Sequence, residues 1–134
     1  GLTRATFQKP QVQLKNATIT SIWGGELDVD LSLHNPNLFE VDATRLSYKI
    51  TKLSDGDLIA EGVLNEHFNV PAKGTIDIML PAVVSWHGMQ SAGSSLVNRG
   101  ATDFLISGEM DINTTVVGMV TIPFTDLQGQ LIME

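Results

Sequence analysis

Alternation of apolar and polar residues with a period of two governs what this chain can fold into. Leu27, Val29, Leu31 and Leu33 alternate with Asp28, Asp30, Ser32 and His34. An extended chain of this pattern turns one face to a core and the other to water. The same period recurs at Leu46, Tyr48 and Ile50, at Ile76, Ile78 and Leu80, at Phe104, Ile106, Met110 and Ile112, and at Val116, Val120, Ile122 and Phe124. Weaker strands run from Val12 to Ile22 and from Leu58 to Leu64. About seven strands are therefore expected. Turn chemistry separates them: Asn35-Pro36-Asn37 ends one strand, Ser54-Asp55-Gly56-Asp57 forms a hairpin, Pro71-Ala72-Lys73-Gly74 forms a turn, and Asn113-Thr114-Thr115 is a further hairpin candidate.

One segment departs from the pattern. Between residues 83 and 98, apolar side chains fall at Val83, Trp86, Met89, Leu96 and Val97, a helical spacing, with Arg99 and Gly100 as a stop signal. Gly88 and Gly93 weaken that helix. Seven short strands with turns between them, and one short helix crossing the end, predict an all-β antiparallel sandwich like the immunoglobulin or fibronectin type III domains. The chain has 134 residues and shows no repeat or linker, so one domain over residues 1–134 is expected. Some twenty inward side chains, at about 1.5 to 3 kcal/mol each, offset the chain entropy without metal or crosslink.

Eight Lys and Arg against fifteen Asp and Glu leave a net charge of −7. Affinity for nucleic acid comes from cations that neutralise phosphates, so this balance speaks against DNA, RNA and anionic lipid as partners. It supports solubility and self-repulsion instead. With no cysteine there is no disulfide, thiolate nucleophile or Cys-ligated zinc. No apolar run approaches the ~20 residues that span a bilayer.

The chemistry-bearing residues do not assemble into a site by spacing. His34, His67 and His87 fall on different predicted elements, where a zinc site wants closely spaced ligands, so structural or exposed roles are expected and no metal. Glu26, Asp28 and Asp30 stand on an outward strand face, which lacks the cleft that raises one carboxyl pKa for acid-base work. The calcium loop reading fails for want of its Gly and terminal Glu. Residues 88–95 imitate the spacing of a phosphate-binding loop, but Ser94 stands where the Lys is needed. No catalytic, metal or cofactor-binding residue is expected, hence no enzyme. Asn16-Ala17-Thr18 and Asn113-Thr114-Thr115 match the N-glycosylation pattern.

The informative tripeptide is Asn35-Pro36-Asn37. Pro36 fixes its own φ and pushes Asn35 out of the helical region, while Asn37 tolerates a left-handed backbone and caps neighbours through its amide. Together with residues 27–34, Val41, Leu46-Ser47-Tyr48, Gly56, Ile59-Ala60-Glu61-Gly62 and Val70-Pro71-Ala72-Lys73-Gly74, it resembles the water stress and hypersensitive response (WHy) domain of the group 2 late embryogenesis abundant proteins. The resemblance spans residues 10 to 125. It implies a folded, fibronectin-like sandwich with one helix and a non-enzymatic role in tolerance of desiccation, cold or freezing. It offers no catalytic residues, and Asn35, Pro36 and Asn37 carry over as motif residues with a structural role.

The expected function is thus protection of client proteins from aggregation or inactivation, through weak and transient contacts of a monomer. The alternative is an adhesion or assembly module of an exported complex, working through strand edges. A small-ligand carrier is a third class and needs a cavity near Trp86 and Met89. Relatives in bacteria and archaea are often exported or lipid-anchored, and plant relatives are cytosolic or tethered near membranes. The chain starts at Gly1 with no leader and no lipobox Cys, as a trimmed leader would leave it, so a periplasmic or other extracytoplasmic location is the expectation.

Overall fold

The computed structural model describes residues 6–21 and 25–133. The described residues fold as a β-sandwich of eight strands and one helix: β1 (Gln11–Ser21), β2 (Glu26–His34), β3 (Val41–Lys52), β4 (Leu58–Leu64), β5 (Phe68–Val70), β6 (Thr75–Val83), α1 (Trp86–Arg99), β7 (Ala101–Thr114) and β8 (Gly118–Met133). The strand that reads most clearly in sequence behaves as read. Leu27, Val29, Leu31 and Leu33 are buried, and the residues between them face outward.

One layer is β1-β2-β6 and the other β4-β3-β7-β8, with β5 paired to the start of β3. All these pairs are antiparallel. The layers face each other across one core that includes Leu31, Leu80, Ile50, Phe104, Ile106 and Met110, all essentially without exposure. They are also joined along both flanks. On one side Thr18 and Ile19 of β1 pair in parallel with Ile132 and Met133 of β8. On the other, the edge strands meet through a bridge between Ala60 and Val84.

Edge strands expose unpaired backbone groups that invite pairing with other chains. Here Pro81 in β6 has no N–H to offer, and the Tyr48 hydroxyl donates to its carbonyl at 2.8 Å. Burial lifts the pKa of Tyr48 above the ordinary tyrosine value. The folded state therefore holds the phenolic proton more tightly than the unfolded chain. Stability is unaffected below the ordinary tyrosine pKa of about 10 and falls as pH rises towards the folded value. Tyr48 is the only tyrosine, so its phenolate absorbance reports this step directly. Tyr48→Phe should cost about 1 kcal/mol at neutral pH through the lost hydrogen bond and should flatten the alkaline decline; a melt series against pH checks both.

Turns fall where the tripeptide and glycine signals place them. At the β3–β4 hairpin, Lys52 N–H donates to Asp57 O at 2.8 Å and Gly56 takes a φ of 76°. The Asp57 amide, and after it Lys52, hold the Asp55 carboxyl below the usual carboxylate range. In the second turn Gly74 N–H donates to Pro71 O at 2.9 Å, with Lys73 at a φ of 59°.

Several boundaries differ from the sequence reading. Three-residue β5 is too short to show alternation. Val116, expected in a strand, lies in the β7–β8 turn, where Thr114 Oγ1 accepts from Val117 N–H at 2.9 Å. Val83 belongs to β6, and the helix starts after Ser85, whose Oγ accepts from Gly88 N–H at 2.9 Å as an N-cap. Ile22, and the side chains of Trp86, Leu96, Val97 and Arg99 from the helical reading, lie outside the described residues.

Candidate functional site: the Asn-Pro-Asn corner

Strand β2 ends at His34, and its last bonded step is Asn35 N–H to Gly74 O at 2.9 Å. Pro36 then turns the chain, and the Asn35 side chain faces inward with no exposed surface. Its Nδ2 donates to three backbone carbonyls, Phe39 at 2.8 Å, Pro71 at 3.1 Å and Val70 at 3.2 Å. Its Oδ1 accepts from Asn37 N–H at 3.0 Å and from Asn37 Nδ2 at 2.9 Å. One carboxamide thereby ties the β2–β3 turn to the β5–β6 turn.

Asn37 is also buried, and its carboxamide is oriented by the bond to Asn35. Its Oδ1 accepts from the main-chain N–H of Gln8 at 2.7 Å, and its Nδ2 donates to the main-chain carbonyl of Gln8 at 2.8 Å. That is the pattern by which one strand residue exchanges both bonds with its antiparallel partner, performed here by a side chain. The Asn37 carbonyl in turn accepts from Lys73 N–H at 3.0 Å. Among the described residues no buried side-chain N or O atom lacks a partner. The corner brings together all three tripeptide residues and adds Gln8, Val70, Pro71 and Gly74. Gln8 has no sequence signal, because its contact spans 29 positions and is made by its backbone.

The other sequence candidates stay apart. His34 Nδ1 lies 2.8 Å from Thr75 Oγ1, and His67 is exposed between β4 and β5. His87, on α1, sits 3.8 Å from Asp57, whose Oδ2 also accepts from Ser91 Oγ at 2.8 Å. This trio of Asp, His and Ser is one that sequence reasoning missed. It lacks the arrangement for nucleophilic catalysis, because the serine proton goes to the carboxylate and not to an imidazole base. Among the described residues no group of three or more His, Asp or Glu could hold a metal. Residues 88–95 lie inside α1, so their backbone N–H groups are not gathered into a phosphate cradle. Lys15 pairs with Asp77 at 3.1 Å on the exposed face that carries Asp28 and Asp30.

An open groove of 680 Å³ crosses β4, β3, β7 and β8, lined by Ser47, Lys49, Glu61, Val63, Glu109 and Pro123 among others. Its row of Gly62, Tyr48, Gly108 and Phe124 lies in register across the four strands. It is not lined by Met89, near which the small-ligand-carrier reading would need its cavity; Met89 packs against the core.

Known structures share this architecture. AT1g01470 from Arabidopsis thaliana superposes with a TM-score of 0.77 at 18% identity, over 96% of this chain and 85% of that one. At2g46140.1, described as a candidate late embryogenesis abundant (LEA) protein, gives 0.62 at 19% identity over 91% and 70% of the two chains. A protein from Archaeoglobus fulgidus gives 0.57 at 10% identity over 96% and 98%. At such identities the likeness is one of fold. No curated protein matches the chain. The family model described as late embryogenesis abundant protein (LEA_2), however, matches residues 30–126, from the middle of β2 into β8, with Asn35, Pro36 and Asn37 inside the match. The chain belongs to the late embryogenesis abundant protein family, LEA_2.

Proposed function

We propose that this chain is a WHy-type, non-enzymatic stress-protection domain, one folded unit over residues 1–134, that limits aggregation of client proteins when water is withdrawn or frozen. The observation that carries the reading is family membership across residues 30–126, which supports a stress-related role in general. The finer assignment rests on the Asn-Pro-Asn corner and on charge. Carboxylates at Glu40, Glu61, Glu66, Asp77 and Glu109 stand exposed on a chain of net charge −7, which holds water and keeps neighbours apart. Asn35, Pro36 and Asn37 serve the fold and not a reaction. The domain acts as a monomer on clients held weakly and briefly, outside the cytoplasm, without nucleic acid, metal or cofactor.

The adhesion reading is less favoured by the edges. Strand pairing with a partner needs an open ladder, whereas β4 and β6 meet at Ala60 and Val84 and Pro81 interrupts the exposed row. Freezing and thawing a labile enzyme with this domain, against albumin at equal mass, tests the proposal. Greater recovery with the domain is expected, and equal recovery in both would discard specific protection.

A further inference from the structure

We propose that the cradle around Asn37 reads polypeptide backbone, is occupied at rest by the chain's own strap of residues 6–10, and takes in exchange an extended segment of an unfolded client. The inference deepens the protective reading above and rests on it for the identity of the partner.

Three observations support it. First, beyond its bond to Asn35, the carboxamide of Asn37 meets the main chain of Gln8, at 2.7 and 2.8 Å, and not its side chain, while the Gln8 residue is itself exposed. Every non-proline residue offers the same N–H and C=O, so recognition of this kind is indifferent to sequence. Secondly, the reader is rigid. Asn35, with no exposed surface, holds Asn37 through both its N–H and its Nδ2, so the donor and acceptor are presented in a fixed orientation. Thirdly, Phe7, one residue before the clamped one, is partly buried against the core, and residues 6–10 belong to no regular strand. The occupant therefore has a simple chemical description: an extended chain with one apolar side chain just before the clamped residue and a second, at the place of buried Pro10, two residues after it. Unfolded clients display such segments, and folded ones hide them. Segments outside the regular ladders also open at lower free energy than the strands they cover.

The test uses the full chain and labelled peptides. One peptide copies residues 6–10, a second keeps only the Phe and the Pro and replaces its other side chains with Ala, and a third is the first with its clamped nitrogen methylated. Gln8→Pro removes the N–H that the strap gives to Asn37 and leaves the cradle intact. It should raise affinity for the first two peptides about tenfold over the parent chain, by depopulating the competing strap. The methylated peptide should bind neither protein, a result that owes nothing to protein folding. Equal affinity of Gln8→Pro and parent, undiminished binding of the methylated peptide, or failure of the Ala-substituted peptide would each overturn the inference, the last by making the cradle a reader of its own strap alone. Peptide binding as described without freeze–thaw protection would sink the protective function and leave the cradle standing. Protection with flat peptide binding would do the reverse.

Discussion

Asn35→Asp should lower stability by about 4 kcal/mol or more at neutral pH, although the two side chains have the same shape. The amide nitrogen that donates to Phe39, Val70 and Pro71 carbonyls becomes an oxygen, so three acceptors face a fourth. Leaving such buried groups unpaired costs about 1–3 kcal/mol each, and a buried carboxylate without a cation adds its own desolvation penalty. The Asn35 side chain itself has no exposed surface through which water could replace these bonds. Chemical denaturation should show a lower midpoint with an unchanged slope, and partial recovery of stability as acid neutralises the new carboxyl. A loss below about 1 kcal/mol would mean that the corner relaxes and that Asn35 is not its hub.

The second large effect reverses an ordinary rule. Gly to Ala inside a helix normally gains about 1 kcal/mol, yet Gly88→Ala should lose about 2 kcal/mol net through overpacking. The first turn of α1 rests directly on β4: Ser85 N–H donates to Ile59 O at 3.2 Å, and a methyl group on Gly88 would overlap that same carbonyl and lie 2.9 Å from Ile59 Cα. Backbone packed between a helix and the core, as at fully buried Ile59, cannot move aside cheaply. Gly93, five residues on, meets nothing within 4 Å, so Gly93→Ala should stabilise by about 0.5–1 kcal/mol. Thermal melts of the two variants should shift in opposite directions. The two glycines are alike in sequence as weak points of a helix, and only the approach of β4 tells them apart.

That contrast shows what the sequence makes legible. Alternation exposes β2, β3, β6 and the body of β7, because each side chain reports its own face. It goes silent where an inward position is filled by a neighbour's side chain. In the second half of β8 the inward row runs Leu127, Gly129, Leu131, and Leu14 and Phe104 occupy the space over Gly129. The strand consequently looks polar beyond Phe124 yet continues to Met133. Gly108 interrupts β7 in the same way beneath Phe124, at a register shift between Ile106 and Gly108. The Asn-Pro-Asn tripeptide was readable as a turn from φ preferences alone. Its bonds to Gln8, Val70 and Pro71 were not, since they cross 29 to 36 positions and end on backbone atoms that carry no residue-specific signature.

The parallel contact of Thr18 and Ile19 with Ile132 and Met133 has a kinetic consequence. Strand pairs such as β1 with β2 are local, but the flank that joins β1 to β8 awaits a loop closure from residue 19 to residue 132. Such distant pairing is slow to nucleate and rewards the chain only at the end. Folding should therefore be all-or-none and wait on β8, and a chain truncated before Ile132 should remain protease-sensitive.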